Sequence, residues 1–229
     1  MARDVRCSTT LLARCQRIFI VGAGGFGREV LQWALHAWPD EAHKINGFLS
    51  DDTEALSGFD SGFSVVGSAA AYRPVPGDAL VLAIGIPGTR RGVAEPLVAR
   101  GAEFLSLVHP TAIVADSAQV GTGTILCPYA IVSVNCQIGR FVLMNYHSSV
   151  GHDASVADFS VFSPYAALGG GATVGEDAFL GLHASVGPRV TLGDRCKVSA
   201  GCAALATASA DTVIWGSPGR HGRRVEIVP

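Results

Sequence analysis

The chain has 229 residues, a formal net charge of −2 and 48% hydrophobic residues. That length accommodates one large domain or two modest ones, each with a real core. So small a net charge gives no electrostatic case for binding nucleic acid or an anionic membrane surface, and no apolar run approaches the length that spans a bilayer.

Residues 1–16 carry Arg3, Arg6 and Arg14 but no apolar h-region, so they do not read as a secretory signal. They are expected to form a flexible extension. The six cysteines form no metal or disulfide framework, and Cys136, Cys196 and Cys202 fall in small inward slots of a repeat described below. They read as reduced core residues of a cytoplasmic protein.

Residues 17–27 read RIFIVGAGGFG, an apolar strand running into a glycine-rich turn, and residues 28–37 continue as a helix. Strand-like segments follow at 45–49 and 79–84, a helical pattern near 93–100, and a strand at 104–108. Alternating β and α elements predict a small parallel sheet covered by helices, a Rossmann-like domain over 17–108. Gly22, Gly24 and Gly27 fit the G-x-G-x-x-G spacing, which lets backbone N–H groups approach a phosphate at a helix N-terminus. Asp51 and Asp52 are candidates for the acidic partner, somewhat later than its usual position. The domain is about half of a full dinucleotide-binding fold, which favours one nucleotide over two. A purely structural turn and a nicotinamide site are the competing readings.

His109-Pro110 closes this region, and a different pattern takes over. From Val114 to Ala204 every sixth residue is apolar, for sixteen consecutive steps. With half the chain apolar, chance would produce that run roughly once in a hundred thousand trials. Two positions before each lies a mostly small residue such as Ala118, Ala130 or Ala154, and eight of the sixteen following residues are glycine. A period of six fits neither a helix nor a flat alternating strand. It predicts a coil of short strands over 109–206, with large and small residues inward and glycine giving backbone freedom beside each corner. Residues 207–229 are left as a C-terminal tail.

Histidine is the usual general base at neutral pH, and one held on an outer wall has little packing reason to be there. His152 lies two places past the core residue Val150, on the outer wall, and Asp153 beside it would favour the imidazolium. Gly170 stands eighteen residues on.

The segments GAGGFGREV, FLSDD, AIGIPGTRR and HPTA, in this order ahead of the unbroken hexads, resemble the hexapeptide-repeat sugar acetyltransferases. That family includes bacterial UDP-4-amino-sugar N-acetyltransferases and sialic acid O-acetyltransferases, and the likeness spans about 17–220. It implies an α/β Rossmann-like domain followed by a left-handed parallel β-helix of three hexads per coil. It also implies acetyl-CoA as co-substrate without a metal, a nucleotide-activated amino sugar as acceptor, and a homotrimer with active sites between subunits. By this resemblance Gly24, Gly25, Phe26, Asp51, Asp52, Gly85 and Arg90 hold the acceptor. His152 is the catalytic base with Asp153 tuning it, and Gly170, Leu182 and Pro188 line the coenzyme. Where some members carry a second coenzyme-contacting histidine, this chain has Val161. His147, Tyr165 and His183 would stack as one column on an eighteen-residue coil, and WGSPGR at 215–220 is similar to a family closing motif whose Arg220 would reach a coenzyme phosphate.

Three other readings compete. His147 and His152, five apart, match a spacing used by γ-class carbonic anhydrases, with His183 as a third zinc ligand. A non-catalytic nucleotide-sugar-binding scaffold and a nicotinamide oxidoreductase are the others.

Overall fold

The structure, a computed structural model, describes residues 6–216. Its first element corrects the expectation of a flexible extension: α1 (Arg6–Arg14) is a helix, and Leu11 and Cys15 lie buried in the core of the front domain. Lys44 Nζ donates to the Leu12 carbonyl at 2.9 Å, and Arg14 pairs with Glu103. Leu11 and Cys15 supply the apolar contact that a free tail would lack.

β1 (Arg17–Val21) leads through the glycine turn into α2 (Gly25–Ala37), followed by β2 (Ile45–Leu49), β3 (Val65–Gly67), β4 (Asp78–Leu82) and α3 (Pro87–Ala99). The strands form one parallel sheet in the order β3-β2-β1-β4. Inner strand β1 and outer strand β4, the latter bridged on its far side by Phe104, are buried almost throughout, as parallel strands covered on both faces must be. α3 starts six residues earlier than the apolar pattern predicts, because Pro87 opens it at a position where no N–H is needed. The strand expected at 104–108 is divided. Phe104 bridges to Leu80 in the front sheet, whereas Leu107–Val108 already pairs with Ile125–Leu126 in the solenoid.

The solenoid therefore begins at Leu107, two residues before the predicted boundary. It also runs past 206, since Val213–Ile214 pairs with Lys197–Val198. Each two-residue strand pairs with the one eighteen residues on, as Val150 with Leu168 and Phe162 with Leu180. Three parallel faces result, of five, six and seven strands. Leu126, Val132, Met144, Val150 and Phe162 point inward with at most 1% exposure. From Gly123 to Gly201 every sixth residue has φ between 53° and 75°, the residue that turns each corner. A left-handed backbone costs an ordinary residue about 1–2 kcal/mol, which each buried aliphatic side chain offsets at roughly 1.5–3 kcal/mol.

That register corrects the role expected for the recurring glycines. Gly151, Gly169, Gly175 and Gly193 are not the residues with positive φ. They are small because the next coil passes against them: a Cβ on Gly151 would lie 2.8 Å from the Gly170 nitrogen, and one on Gly169 2.6 Å from the Pro188 nitrogen.

The front domain sits on the seven-stranded face. Outward residues Ile125, Leu143 and Val161 are buried in one cluster with Ile18, Val30 and Leu31. The adjoining corner stacks Phe141 on Phe159 and packs them against Phe104 and Leu97. Arg91 of α3 reaches the same corner, bonding Asp177 at 2.8 Å and lying 4.3 Å over the Phe159 ring.

Candidate active site

The three corners of the prism carry different chemistry. One docks the front domain, as above. A second holds His152. Its side chain is 66% exposed, and Nδ1 lies 2.8 Å from Asp153 Oδ2. A carboxylate only accepts, so Nδ1 carries the hydrogen and Nε2 is left with its lone pair. Asp153 occupies the corner position with φ 58°, a conformation aspartate tolerates better than most residues. Its other oxygen accepts from Asn135 Nδ2 at 3.0 Å. The hydrogen bonds from His152 and then from Asn135 hold the Asp153 carboxyl below its usual range.

One coil on, Gly170 lies directly against the imidazole: a Cβ there would come within 2.5 Å of His152 Nε2. Gly170 thus makes room for the ring. Among the described residues nothing accepts a hydrogen bond from its N–H. Pro188 is the next residue up this column, exposed at the surface. Arg189 beside it is also exposed and forms no ion pair among the described residues. It is a cation along the same wall that motif reasoning missed and the eighteen-residue lattice would have found. Leu182 stands on the third corner instead, so one chain does not bring it together with His152, Gly170 and Pro188. Its side chain is 50% exposed.

That third corner is an aromatic ladder. Tyr129, His147, Tyr165 and His183 stack with centroids 4.7–4.9 Å apart and planes within 11°. His147 and His183 are separated by a tyrosine ring, and His152 lies on another corner. The three histidines do not converge as a zinc site requires, and no group able to hold a metal occurs among the described residues. Val161 is buried in the interdomain core at 2% exposure, so no coenzyme contact comes from it.

In the front domain, Gly24, Gly25 and Phe26 follow β1, Asp51 and Asp52 follow β2, and Gly85 follows β4. All lie at the carboxyl edge of the parallel sheet, where open α/β sheets bind ligands. Gly22 makes the turn with φ 105°, Gly27 packs α2 onto it, and the Cα of Gly24 faces open space. α2 has no side-chain cap and no acid in its first turn. The two aspartates partly serve their own loops. Asp51 accepts from the Ser68 hydroxyl and the Ala70 N–H, which hold its carboxyl below the usual range, and Asp52 accepts from the Glu54 N–H. Asp51 also rims a recess of about 120 Å³ with Val93, Leu97 and Arg100.

Arg90 is corrected. It is fully buried and cannot touch an acceptor. Its guanidinium donates to the carbonyls of Leu82, Ile84, Phe141 and Gly123, two from the front domain and two from the solenoid. Burial pulls its pKa down to about 9, which leaves it charged at neutral pH. Trp215 is exposed, while Gly219 and Arg220 lie outside the described residues.

Comparison with known proteins completes the picture. Residues 17–97 match the PglD N-terminal domain family. Across both domains the fold is similar to perosamine N-acetyltransferase from Caulobacter crescentus, a histidine mutant solved with CoA and GDP-perosamine. That match has TM-score 0.77 and 26% identity over 86% of this chain and 92% of that one. Over most of its length the chain is thus similar to hexapeptide-repeat sugar acetyltransferases. The fold is similar also to the acetyltransferase domain of PglB from Neisseria gonorrhoeae, solved with acetyl coenzyme A. Its TM-score is 0.80 at 27% identity, over 87% of this chain and 95% of that one. A curated relative, UDP-N-acetylbacillosamine N-acetyltransferase of Bacillus subtilis, is 30% identical over 113 residues. That match spans 48% of this chain and about half the relative's length, 51%. The solenoid matches that of a left-handed β-helix acetyltransferase.

Proposed function

We propose that the chain is an acetyl-CoA-dependent acetyltransferase acting on a nucleotide-activated amino sugar. The observation that carries this reading is the fixed tautomer of His152, whose Nε2 lone pair faces the groove beside Gly170. Nε2 takes a proton from the sugar amine as nitrogen attacks the thioester carbonyl. The tetrahedral oxyanion accepts from the Gly170 N–H. The C–S bond then breaks, the imidazolium protonates the departing thiolate, and amide and CoA result. The relatives named above, N-acetyltransferases and complexes with CoA or acetyl-CoA, support the choice of donor and acceptor class.

The acceptor is held by the amide-rich turn at Gly24, Gly25 and Phe26, with Asp51, Asp52 and Gly85 along the same edge. The chain's own front domain lies on the face opposite the His152 corner, so one copy cannot serve both roles. Between the His152 corner and the ladder corner lies the six-stranded face, whose outward residues include Ile113, Ile131, Ser149, Ala167 and Ser185 and carry no charge. Packing that face about a threefold axis sets the ladder corner of one copy, with Leu182 and the adjacent front domain, beside the His152 corner of the next. A homotrimer follows, placed in the cytoplasm with acetyl-CoA. No helix among the described residues is long and apolar enough to cross a membrane.

The test is release of free CoA thiol with UDP-, GDP- and dTDP-amino sugars, CMP-sialic acid and free sialic acid. Turnover with an amino sugar that vanishes in His152→Ala supports the reading. Turnover only with a sialic acid would move the acceptor to a hydroxyl, and no turnover with any would overturn the acceptor assignment.

A further inference from the structure

The aromatic ladder has one closed end and one open end. Below Tyr129 the same column holds Thr111, whose hydroxyl accepts from the Tyr129 N–H and bonds His109 Nδ1. Beyond His183 the next residue of the column is Gly201. Its N–H is bonded to the Leu182 carbonyl at 2.7 Å, so the backbone rung is complete. Its φ of 69° matches the corner conformation of the residues below, but among the described residues a Cβ built there meets nothing within 4 Å. The ladder is therefore one ring short of its last rung. The outer face of His183, an exposed residue, is bare of any ring contact among the described residues.

We propose that this missing rung is a stacking site for a nucleobase, with His183 as the platform and Gly201 as the space. The proposal rests on the acetyltransferase reading, and the adenine of the coenzyme is the source that the position favours. Gly201 lies 49 residues beyond His152. At one strand spacing per coil of eighteen residues, that is about 13 Å along the axis. With the His152 corner of one copy set beside the ladder corner of the next, a thioester at His152 and an adenine at the neighbouring Gly201 are offset along the axis by a distance within reach of the pantetheine and pyrophosphate arm. Leu182, exposed beside His183, offers an apolar edge to the same ligand. A nucleobase fits better than an aliphatic group because the four existing rungs already impose parallel planes at 4.7–4.9 Å. Stacking tolerates any base, so the nucleobase of the acceptor is the other source of this chemistry.

The experiment is calorimetric titration of the full chain with CoA, with CoA's fragment adenosine 3′,5′-bisphosphate, with acetyl-pantetheine, and with the nucleotide sugar that turns over. Gly201→Tyr fills the rung without new backbone strain, since Tyr129 and Tyr165 hold the same conformation at φ 60° and 62°. His183→Ala removes the platform and His183→Phe restores a flat one. The expected result is binding of CoA and the bisphosphate weakened about tenfold or more in Gly201→Tyr and His183→Ala. Recovery in His183→Phe, with acetyl-pantetheine unchanged throughout, completes it. The same pattern in the nucleotide sugar alone keeps the stacking site and assigns it to the acceptor's base. Equal affinities of wild type and both variants for every base-bearing ligand overturn the proposal while leaving the acetyltransferase reading intact. A wild-type chain that binds neither CoA nor acetyl-pantetheine overturns that reading, and this site with it.

Discussion

His152 and Gly170 are in contact one coil apart, so closely that a single methyl on the glycine would fall 2.5 Å from Nε2. The contact separates stability from catalysis. Gly170 is not among the residues with positive φ, and the group in the way is the end of an exposed side chain. Gly170→Ala is therefore expected to fold with an unchanged melting temperature while its imidazole turns away from the groove. Misplacing a catalytic group by about 1 Å costs on the order of a hundredfold in rate. Thiol release under saturating acetyl-CoA measures this. A Gly170→Ala enzyme of wild-type rate would mean that the ring does not act from the position described.

Asp153 tests a separate point. Asparagine is at home at φ 58° and keeps an oxygen for His152, so Asp153→Asn removes the charge and, once the Asn135 amide turns over to accept, reverses one exposed hydrogen bond. The hydrogen bonds from His152 and Asn135 lower the carboxyl's pKa, so the anion persists well below neutral pH and is lost only as pH falls through that lowered value. The expected outcome is a fall of about tenfold or more in kcat, with the KM for acetyl-CoA preserved. An unchanged kcat would show that the carboxylate merely decorates the corner.

The solenoid was legible from one-dimensional periodicity because its interior repeats. Val150, Val156 and Phe162 face the same core under the same constraint, and a fixed coil of eighteen then places His152 beside Gly170. What was not legible depends on contacts between the two domains. Arg90 follows the motif GIPGT just as a phosphate-binding arginine would, and only the carbonyls of Phe141 and Gly123, far along the chain, show where it points. The recurring glycines were misread for a related reason. Sequence spacing marks them as special but does not distinguish a need for positive φ from the close approach of the next coil. α1 escaped because Leu11 and Cys15 are too few to register as a periodic face.

Arg90 and an acceptor-binding arginine predict opposite results on substitution. Arg90→Met leaves four buried carbonyls without their donor, each worth on the order of 1 kcal/mol or more, and loosens the joint between the domains. Denaturant unfolding is expected to show a loss of about 3 kcal/mol or more. A substrate contact would instead raise the KM for the nucleotide sugar at constant stability. Observation of that second pattern would return Arg90 to the acceptor site.

The joint also carries a pH dependence. His109 Nε2 lies 3.2 Å from His36 Nδ1 on α2, and the Thr111 N–H donates to His109 Nδ1. Nδ1 therefore accepts, Nε2 carries the hydrogen, and the folded pair requires a neutral His109. Burial, and then the neighbouring His36, lower the His109 pKa from its ordinary value of 6.5. Below that value the unfolded chain binds a proton that the folded chain resists, so stability rises with pH through this window and is lost as pH falls from about 6.5 toward the lowered value. The melting temperature is expected to drop between about pH 7 and about pH 5. His109→Asn should be less stable at neutral pH yet show a shallower fall. Equal slopes in the two proteins would place the acid sensitivity elsewhere, among the carboxylates.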